Sequence, residues 1–218
     1  MAFENLYQLN EEQYQNLPAR LGEAFFLHPL FCRLFPNAQV RKTCITYFMS
    51  QYLKLLAPYA LCLAESEAMH AVIIVYDSRR YVRKAYWRAL LQMDFHLLAL
   101  VKQLGIRDML HFIKEWESLS KRWVRDFERK AYFYVELVFA SEMHHKEALQ
   151  LVRELIDEGD IMDMNVAVKT SDKESALWYE RLGFTLMNTI VDEESGLDQY
   201  CLIAKHHKEQ KSWIQDIG

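Results

Sequence analysis

Residues 132–184 constrain the fold more than any other stretch of the chain. They open with an apolar run, Tyr132-Phe-Tyr-Val-Glu-Leu-Val-Phe-Ala140, rich in the aromatic and β-branched residues that suit a buried strand. A polar turn and an amphipathic segment occupy 141–157, and a second short run follows, Met162-Asp-Met-Asn-Val-Ala-Val168. The stretch closes on Thr170-Ser-Asp-Lys-Glu-Ser-Ala-Leu-Trp-Tyr-Glu-Arg-Leu-Gly-Phe184, helical in spacing and stopped by Gly-Phe. The order is strand, helix, strand, helix.

The flanks supply more helix than strand. Asn10 with Gln13 three residues on makes a capping-box pattern for a helix over 10–17. Pro18 either opens a second helical piece or kinks the first. Phe25, Phe26, Leu27, Leu30, Phe31, Leu34 and Phe35 form an apolar cluster broken by Pro29 and Pro36. Asn37 is expected to cap a helix with Val40, Cys44, Phe48, Tyr52 and Leu55 on its apolar face, ended by Pro58. The period then changes: 59–64 and 70–76 read as a β-hairpin around Glu65-Ser-Glu67. Asp77-Ser78 is expected to cap a long helix whose stripe runs from Val82 through Tyr86, Leu90, Met93 and Leu97 to Leu104, with Gly105 as its stop. A further helix carries Met109, Phe112, Trp116, Leu119 and Trp123. Arg122, Arg125, Arg129 and Lys130 mark a basic loop, read as solvated. Strands are expected over 185–191 and 200–205, joined by a turn over 192–198, with a polar tail after 206.

No repeat, low-complexity tract or linker interrupts this order, which favours a single domain over 1–218. Its parts are N-terminal helices 10–57, a helical insertion at about 80–128 and a core at 132–205. The net charge of −4, from 26 basic and 30 acidic residues, gives no electrostatic footprint for nucleic acid. Cys32, Cys44, Cys62 and Cys201 are scattered, form no C-x-x-C and read as buried thiols of a reducing compartment. The first residues carry neither a basic nor an apolar leader region, and no run of about 18 apolar residues offers a membrane span. A cytoplasmic protein without a membrane partner is the expectation.

The residues from Phe133 to Phe184 resemble the GNAT superfamily of CoA-dependent N-acyltransferases. In that family a strand of hydrophobic-Leu-x-x-Leu-x-Val type leads to a turn Q/R-x-x-G-x-G/A and a helix. A later strand leads to T-S-x-x-x-N-x-x-x-Tyr-x-x-x-Gly-Phe. Here the strand is Phe133-Tyr-Val-Glu-Leu-Val-Phe139, and the last motif is Thr170-Ser-Asp-Lys-Glu-Ser175-Ala-Leu-Trp-Tyr179-Glu-Arg-Leu-Gly183-Phe184. The resemblance covers residues 132–186 at the level of motifs and about 20–205 in layout. It implies an α+β (α/β) fold, a GNAT-like mixed, mostly antiparallel central sheet flanked by helices.

The resemblance also implies an activity: acetyl transfer from acetyl-CoA, as cosubstrate, to an amine of a small molecule or peptide, directly and without a metal. Such a reaction needs a base for the amine, a stabilised oxyanion and an acid for the departing thiolate. Tyr179 stands at the family's acid position. Glu136, on the central strand, is the candidate base. The strand edge Leu137, Val138, Phe139 would pair with the pantetheine amides as an added strand does. The helix starting near Ser141 to His145 would receive the pyrophosphate on its free N–H groups. Ser175 stands where the family often has an asparagine contacting pantetheine.

The turn departs from the pattern. Aligned from Ala140 it reads Met143, His144, His145, Lys146, Glu147, Ala148. Met143 replaces Gln or Arg, Lys146 replaces the first glycine, and only Ala148 fits. The Lys146 side chain either crowds the diphosphate or pairs with it; the sequence leaves both open. The departure favours a rival: a catalytically inactive binding or regulatory module of the same fold that has lost standard CoA binding. A metal-bundle alternative, from Glu142-x-x-His145 and Glu67-x-x-His70, has i, i+3 spacing but places its second pair between two strands. The acceptor pocket is expected where the N-terminal helices and the aromatic insertion (Tyr81, Tyr86, Trp87, Phe95, Trp116, Trp123) meet the central strands. A homodimer is left open.

Overall fold

The computed structural model describes residues 3, 6–97, 123–141, 143–191 and 198–206. The expected helix over 109–119, the stop at Gly105, the turn 192–197 and the tail after 206 lie outside the described residues. The chain falls into two compact units: Met1–Gln8 with Leu61–Arg79 and Arg122–Gly218, and Leu9–Ala60 with Arg80–Lys121.

The second unit is helical where described. Its helices are α1 (Glu11–Ala24), α2 (Pro29–Leu34), α3 (Ala38–Leu56) and α4 (Arg83–Leu97). The expected capping box starts α1: Asn10 Oδ1 accepts from the Gln13 amide at 2.9 Å, and Gln13 Oε1 accepts from the Asn10 amide at 3.0 Å. Pro18 neither breaks the helix nor opens a new one; α1 is continuous through it. Asn37 caps α3 as expected, taking the Gln39 amide at 3.0 Å. The apolar cluster between these helices is closed by Arg41, whose guanidinium donates to the carbonyls of Phe35, Phe26 and Pro36. The rings of Tyr59, Tyr81 and Tyr86 meet at tilts of 54–59°, with centroids 5.3–6.2 Å apart, whereas Tyr81 and Trp87 keep much of their surface exposed.

The expectation for Asp77-Ser78 needs correction. Ser78–Arg80 is a single 3₁₀ turn, and α4 begins only at Arg83. Asp77 is instead buried and takes the Arg79 amide and guanidinium, while Ser78 Oγ accepts from the Tyr132 amide at 2.8 Å. Asp77 is taken by Arg79 and Ser78 by the sheet, so neither is left for the helix.

The first unit carries the sheet, seven strands in the order β1-β2-β3-β4-β5-β7-β6. They are β1 (Tyr7–Gln8), β2 (Ala60–Ala64), β3 (Ala71–Asp77), β4 (Tyr132–Ala140), β5 (Asn165–Thr170), β6 (Thr185–Ile190) and β7 (Gln199–Ala204). β1 is too short for any periodicity and was not foreseen. β3–β4, β5–β7 and β6–β7 pair antiparallel; β4–β5 pair parallel. This is the mixed, mostly antiparallel α+β sheet expected. A parallel pair requires a crossover, which α6 (His145–Met162) provides, after the short α5 (Val124–Phe127); α7 (Lys173–Arg181) follows β5.

The α6 stripe of Ala148, Leu151, Val152 and Leu155 packs on Ile73 and Val75 of β3, Phe133 and Val135 of β4, and Val166 and Val168 of β5. Burying a Leu or Val this way contributes roughly 1.5–3 kcal/mol. The helix runs to Met162, so β5 begins three residues later than the apolar run at 162–168 suggests. The chain turns at Asp163 (φ 56°), and the Met164 amide returns to the Gly159 carbonyl at 2.8 Å. Gly159 is required there: a Cβ would lie 2.7 Å from the Met164 carbonyl oxygen.

Candidate active site

β4 and β5 pair over four residues, Tyr132↔Asn165 to Val135↔Val168, and their register ends there. Beyond it each strand follows a different neighbour. β4 continues to Ala140 beside β3, and β5 continues to Thr170 beside β7. The sheet therefore divides in its middle.

The division coincides with a β-bulge. On β3, Ile74 and Val75 are adjacent, but their partners on β4 are Leu137 and Val135. Glu136 is the extra residue. An inserted residue bends its strand and resets the alternation of faces. Val135 faces the α6 core, and the next β4 residues on that core are Val138 and Ala140, not Leu137 and Phe139. Glu136 is half-buried. Tyr134 beside it is fully buried, and burial first, then the Glu136 carboxylate, push its phenol well above the ordinary range.

After Ala140 the chain turns into α6. The Ser141 amide donates to the His70 carbonyl, and the His144 amide donates to the Ser141 carbonyl, both at 2.8 Å. The first intrahelical bond is Ala148 N–H to His144 C=O, at 3.3 Å. The amides of His145, Lys146 and Glu147 therefore precede the helical ladder, and His144 makes no side-chain cap. The carboxylate of Glu147 sits at this end. It lies 3.0 Å from His144 Nδ1, and the nearness of its own amide, then of His144, holds it below the usual carboxylate range. The His144 ring stacks on His70, with centroids 4.2 Å apart and 6° between planes. His70 is fixed in turn by Glu65, whose two oxygens take the His70 and Ala71 amides at 2.9 and 2.8 Å. Burial works to raise the Glu65 carboxyl, but the amides outweigh it and hold it low. Ser141 Oγ is buried with no hydrogen-bond partner. Met143 is 90% exposed, and Lys146 also stands exposed.

α7 is built differently. Asp172 caps it, taking the Ser175 amide at 2.8 Å and the Ser175 hydroxyl at 2.6 Å. Its far end explains the Tyr-x-x-x-Gly-Phe spacing. The Phe184 amide bonds to the Tyr179 carbonyl and the Gly183 amide to the Glu180 carbonyl, each at 3.0 Å. Gly183 has φ 99°, and the Tyr179 and Phe184 rings meet edge to face at 5.3 Å. That is a Schellman motif with its hydrophobic contact. The spacing is thus demanded by helix termination, and an aromatic at 179 is used in packing; only the hydroxyl is surplus to it. Burial pushes the Tyr179 phenol up, so it keeps its proton at neutral pH.

Of the candidate residues, Val138, Ala148 and Tyr179 share the core cluster and Glu136, Leu137, Phe139 and Ser175 lie outside it; His145 at the start of α6 lies edge-on to Trp178 of α7 at 6.1 Å. Sequence reasoning missed the bulge at Glu136, the His70–His144 stack and the Glu147 carboxylate at the start of α6. The last had a signal: Glu three residues after the helix cap is the capping-box position. Glu142 lies outside the described residues, and among those described no group of three or more His, Cys, Asp or Glu is gathered for a metal ion. Among the described residues no helix is long and apolar enough to cross a membrane.

The fold recurs in solved structures. A protein described as histone acetyltransferase HPA2 and related acetyltransferase, from Corynebacterium glutamicum, superposes with a TM-score of 0.64 at 15% identity over 94% of this chain and 97% of that one. The C-terminal condensation domain of Ebony, in complex with beta-alanyl-dopamine, gives 0.57 at 9% identity over 94% and 100%. Arylalkylamine N-acetyltransferase 2 of Aedes aegypti gives 0.53 at 11% identity over 91% and 96%. No protein-family model matches the sequence, and no curated protein sequence matches it. At these identities the likeness is one of fold: the chain has the GNAT fold.

Proposed function

On that fold we propose an N-acetyltransferase that moves acetyl from acetyl-CoA to a primary amine of a small molecule or peptide. The observation that carries the proposal is the parting of β4 from β5 at Val135 and Val168 beside the uncapped start of α6. A parted strand edge offers backbone amides and carbonyls to an extended, amide-bearing arm. A helix start with free amides, next to the orphaned Ser141 hydroxyl, offers donors to phosphate. In this reading Leu137, Val138 and Phe139 hold pantetheine. His144, His145, Lys146 and Ala148 border the diphosphate, with Lys146 as a cation, and Ser175 lies alongside the arm. Ser175 would have to share its hydroxyl with Asp172.

Acetyl-CoA supplies an activated thioester when bound. The amine attacks its carbonyl, a C–N bond forms and the C–S bond breaks. Glu136 takes the proton from the amine, directly or through water, from its place at the bulge. Tyr179 gives the phenolic proton to the departing sulfur, a role suited to a phenol that burial keeps protonated. The fold neighbours named for arylalkylamines, or complexed with an acylated one, make amines with an aryl or apolar arm the first acceptors to try.

Calorimetry with acetyl-CoA and thiol release over a panel of amines test the reading. Tyr179→Phe keeps the Phe184 contact and should lower turnover by about 100-fold with CoA affinity unchanged. Equal turnover sinks the acid assignment, and no binding of millimolar CoA sinks the acyltransferase. A second reading, a binding module without turnover, is favoured by the glycine-free turn at 143–148. CoA binding with no thiol release from any amine would select it.

A further inference from the structure

The start of α6 already holds an anion. The Glu147 carboxylate lies 3.0 Å from His144 Nδ1, at the helix end whose partial positive charge attracts negative groups. His144 is not free to turn away, because its ring is stacked on His70, and His70 is anchored through Glu65. The carboxylate is therefore held by a chain of contacts running back to the β2–β3 connection. α7 shows that this sequence can close a helix start with an ordinary cap, as Asp172 does. At α6 the group at the helix start is a half-exposed side chain that carries a full negative charge.

We propose that Glu147 is a built-in competitor for the phosphate seat at the start of α6, so that a diphosphate-bearing acyl carrier binds only as that carboxylate withdraws. The inference rests on the acyltransferase reading for the identity of the carrier, and on this chain's own geometry for the competition. The contact with His144 is lost when the diphosphate takes the amides, and like charge opposes any partial occupancy. Affinity for the carrier is set lower than the bare helix end would give, and the control resides in one side chain. Among the described residues, His144 and His70 are the titratable groups that act on it.

The test compares wild type with Glu147→Gln, which keeps a hydrogen-bond acceptor and removes the charge. CoA should bind the variant about tenfold more tightly, the scale of one charge at a helix end and its repulsion of phosphate. Pantetheine, which has no phosphate, should bind both proteins equally. CoA binding that is unchanged or weaker in the variant overturns the proposal, as does an equal gain for pantetheine. If CoA binds neither protein, the acyltransferase reading fails, and inorganic pyrophosphate then decides on Glu147 alone. A gain for pyrophosphate in the variant supports the competitor role, and no gain refutes it. Glu147→Ala, checked for an unaltered circular dichroism spectrum, should show the same direction.

Discussion

The helices that follow β4 and β5 begin in opposite ways. α7 is closed by Asp172, whose carboxylate takes both the amide and the hydroxyl of Ser175. α6 starts at His144 with no side-chain cap, and the carboxylate that sits at its start is that of Glu147, 3.0 Å from His144 Nδ1. One end is a joint, satisfied by a residue that local geometry places there. The other is held by a charge that can leave. The difference teaches where ligand chemistry can sit on two otherwise equivalent β-strand-to-helix turns. A helix start whose donors are permanently satisfied has nothing to offer a phosphate, whereas one satisfied by a displaceable carboxylate does.

The comparison is best strained first at the far end of α6. Gly159→Ala puts a Cβ 2.7 Å from the Met164 carbonyl and should cost about 2–3 kcal/mol of unfolding free energy, the range of overpacking. If denaturant melts show no loss, α6 is not seated on β5 through this glycine, and its start is less rigidly placed than described. Next in size, Asp172→Ala should destabilise by about 1 kcal/mol, the usual worth of an Asp cap. His144→Ala, which removes no cap, should move the melt less while changing CoA affinity. Equal losses in the two variants would erase the distinction between joint and seat.

The smallest effect is an acid dependence. Glu65 and Glu147 both titrate below the usual carboxylate range. Their contribution is therefore complete above the unfolded value of roughly pH 4.3. It is lost as pH falls through the lower folded values, since the unfolded chain then takes up protons more readily. Stability of wild type should decline with acid below about pH 4, and Glu65→Gln should flatten that decline. An identical slope in the variant would show that the Glu65 anchor of His70 carries no weight.

Much of this was legible before any coordinates. Asn10, Gln13 and Asn37 act within three residues of themselves, so their caps could be read directly. The end of α7 was legible for the same reason, since Gly183 and Phe184 complete a hydrogen-bonded turn with Tyr179 five residues away. The failures share a cause as well. Asp77 and Ser78 look like a helix cap, but Tyr132, 54 residues on from Ser78, claims one of them. β5 was placed early because Met162 is apolar whether it ends a helix or begins a strand.

The sequence by itself determined the alternation of strand and helix over 132–184 and the identity of the groups available there. Those follow from periodicity, caps and a helix-ending glycine, all short-range. Only the tertiary structure decided that Glu136 is a bulge, that β4 leaves β5 at Val135, and that Glu147 fills the start of α6 against a His70–His144 stack. Each depends on the register of β3 against β4 or on the meeting of residues some 70 positions apart, such as His70 and His144. Side chains encode such meetings collectively, through the packing of a whole sheet, and no single stretch of the chain carries them.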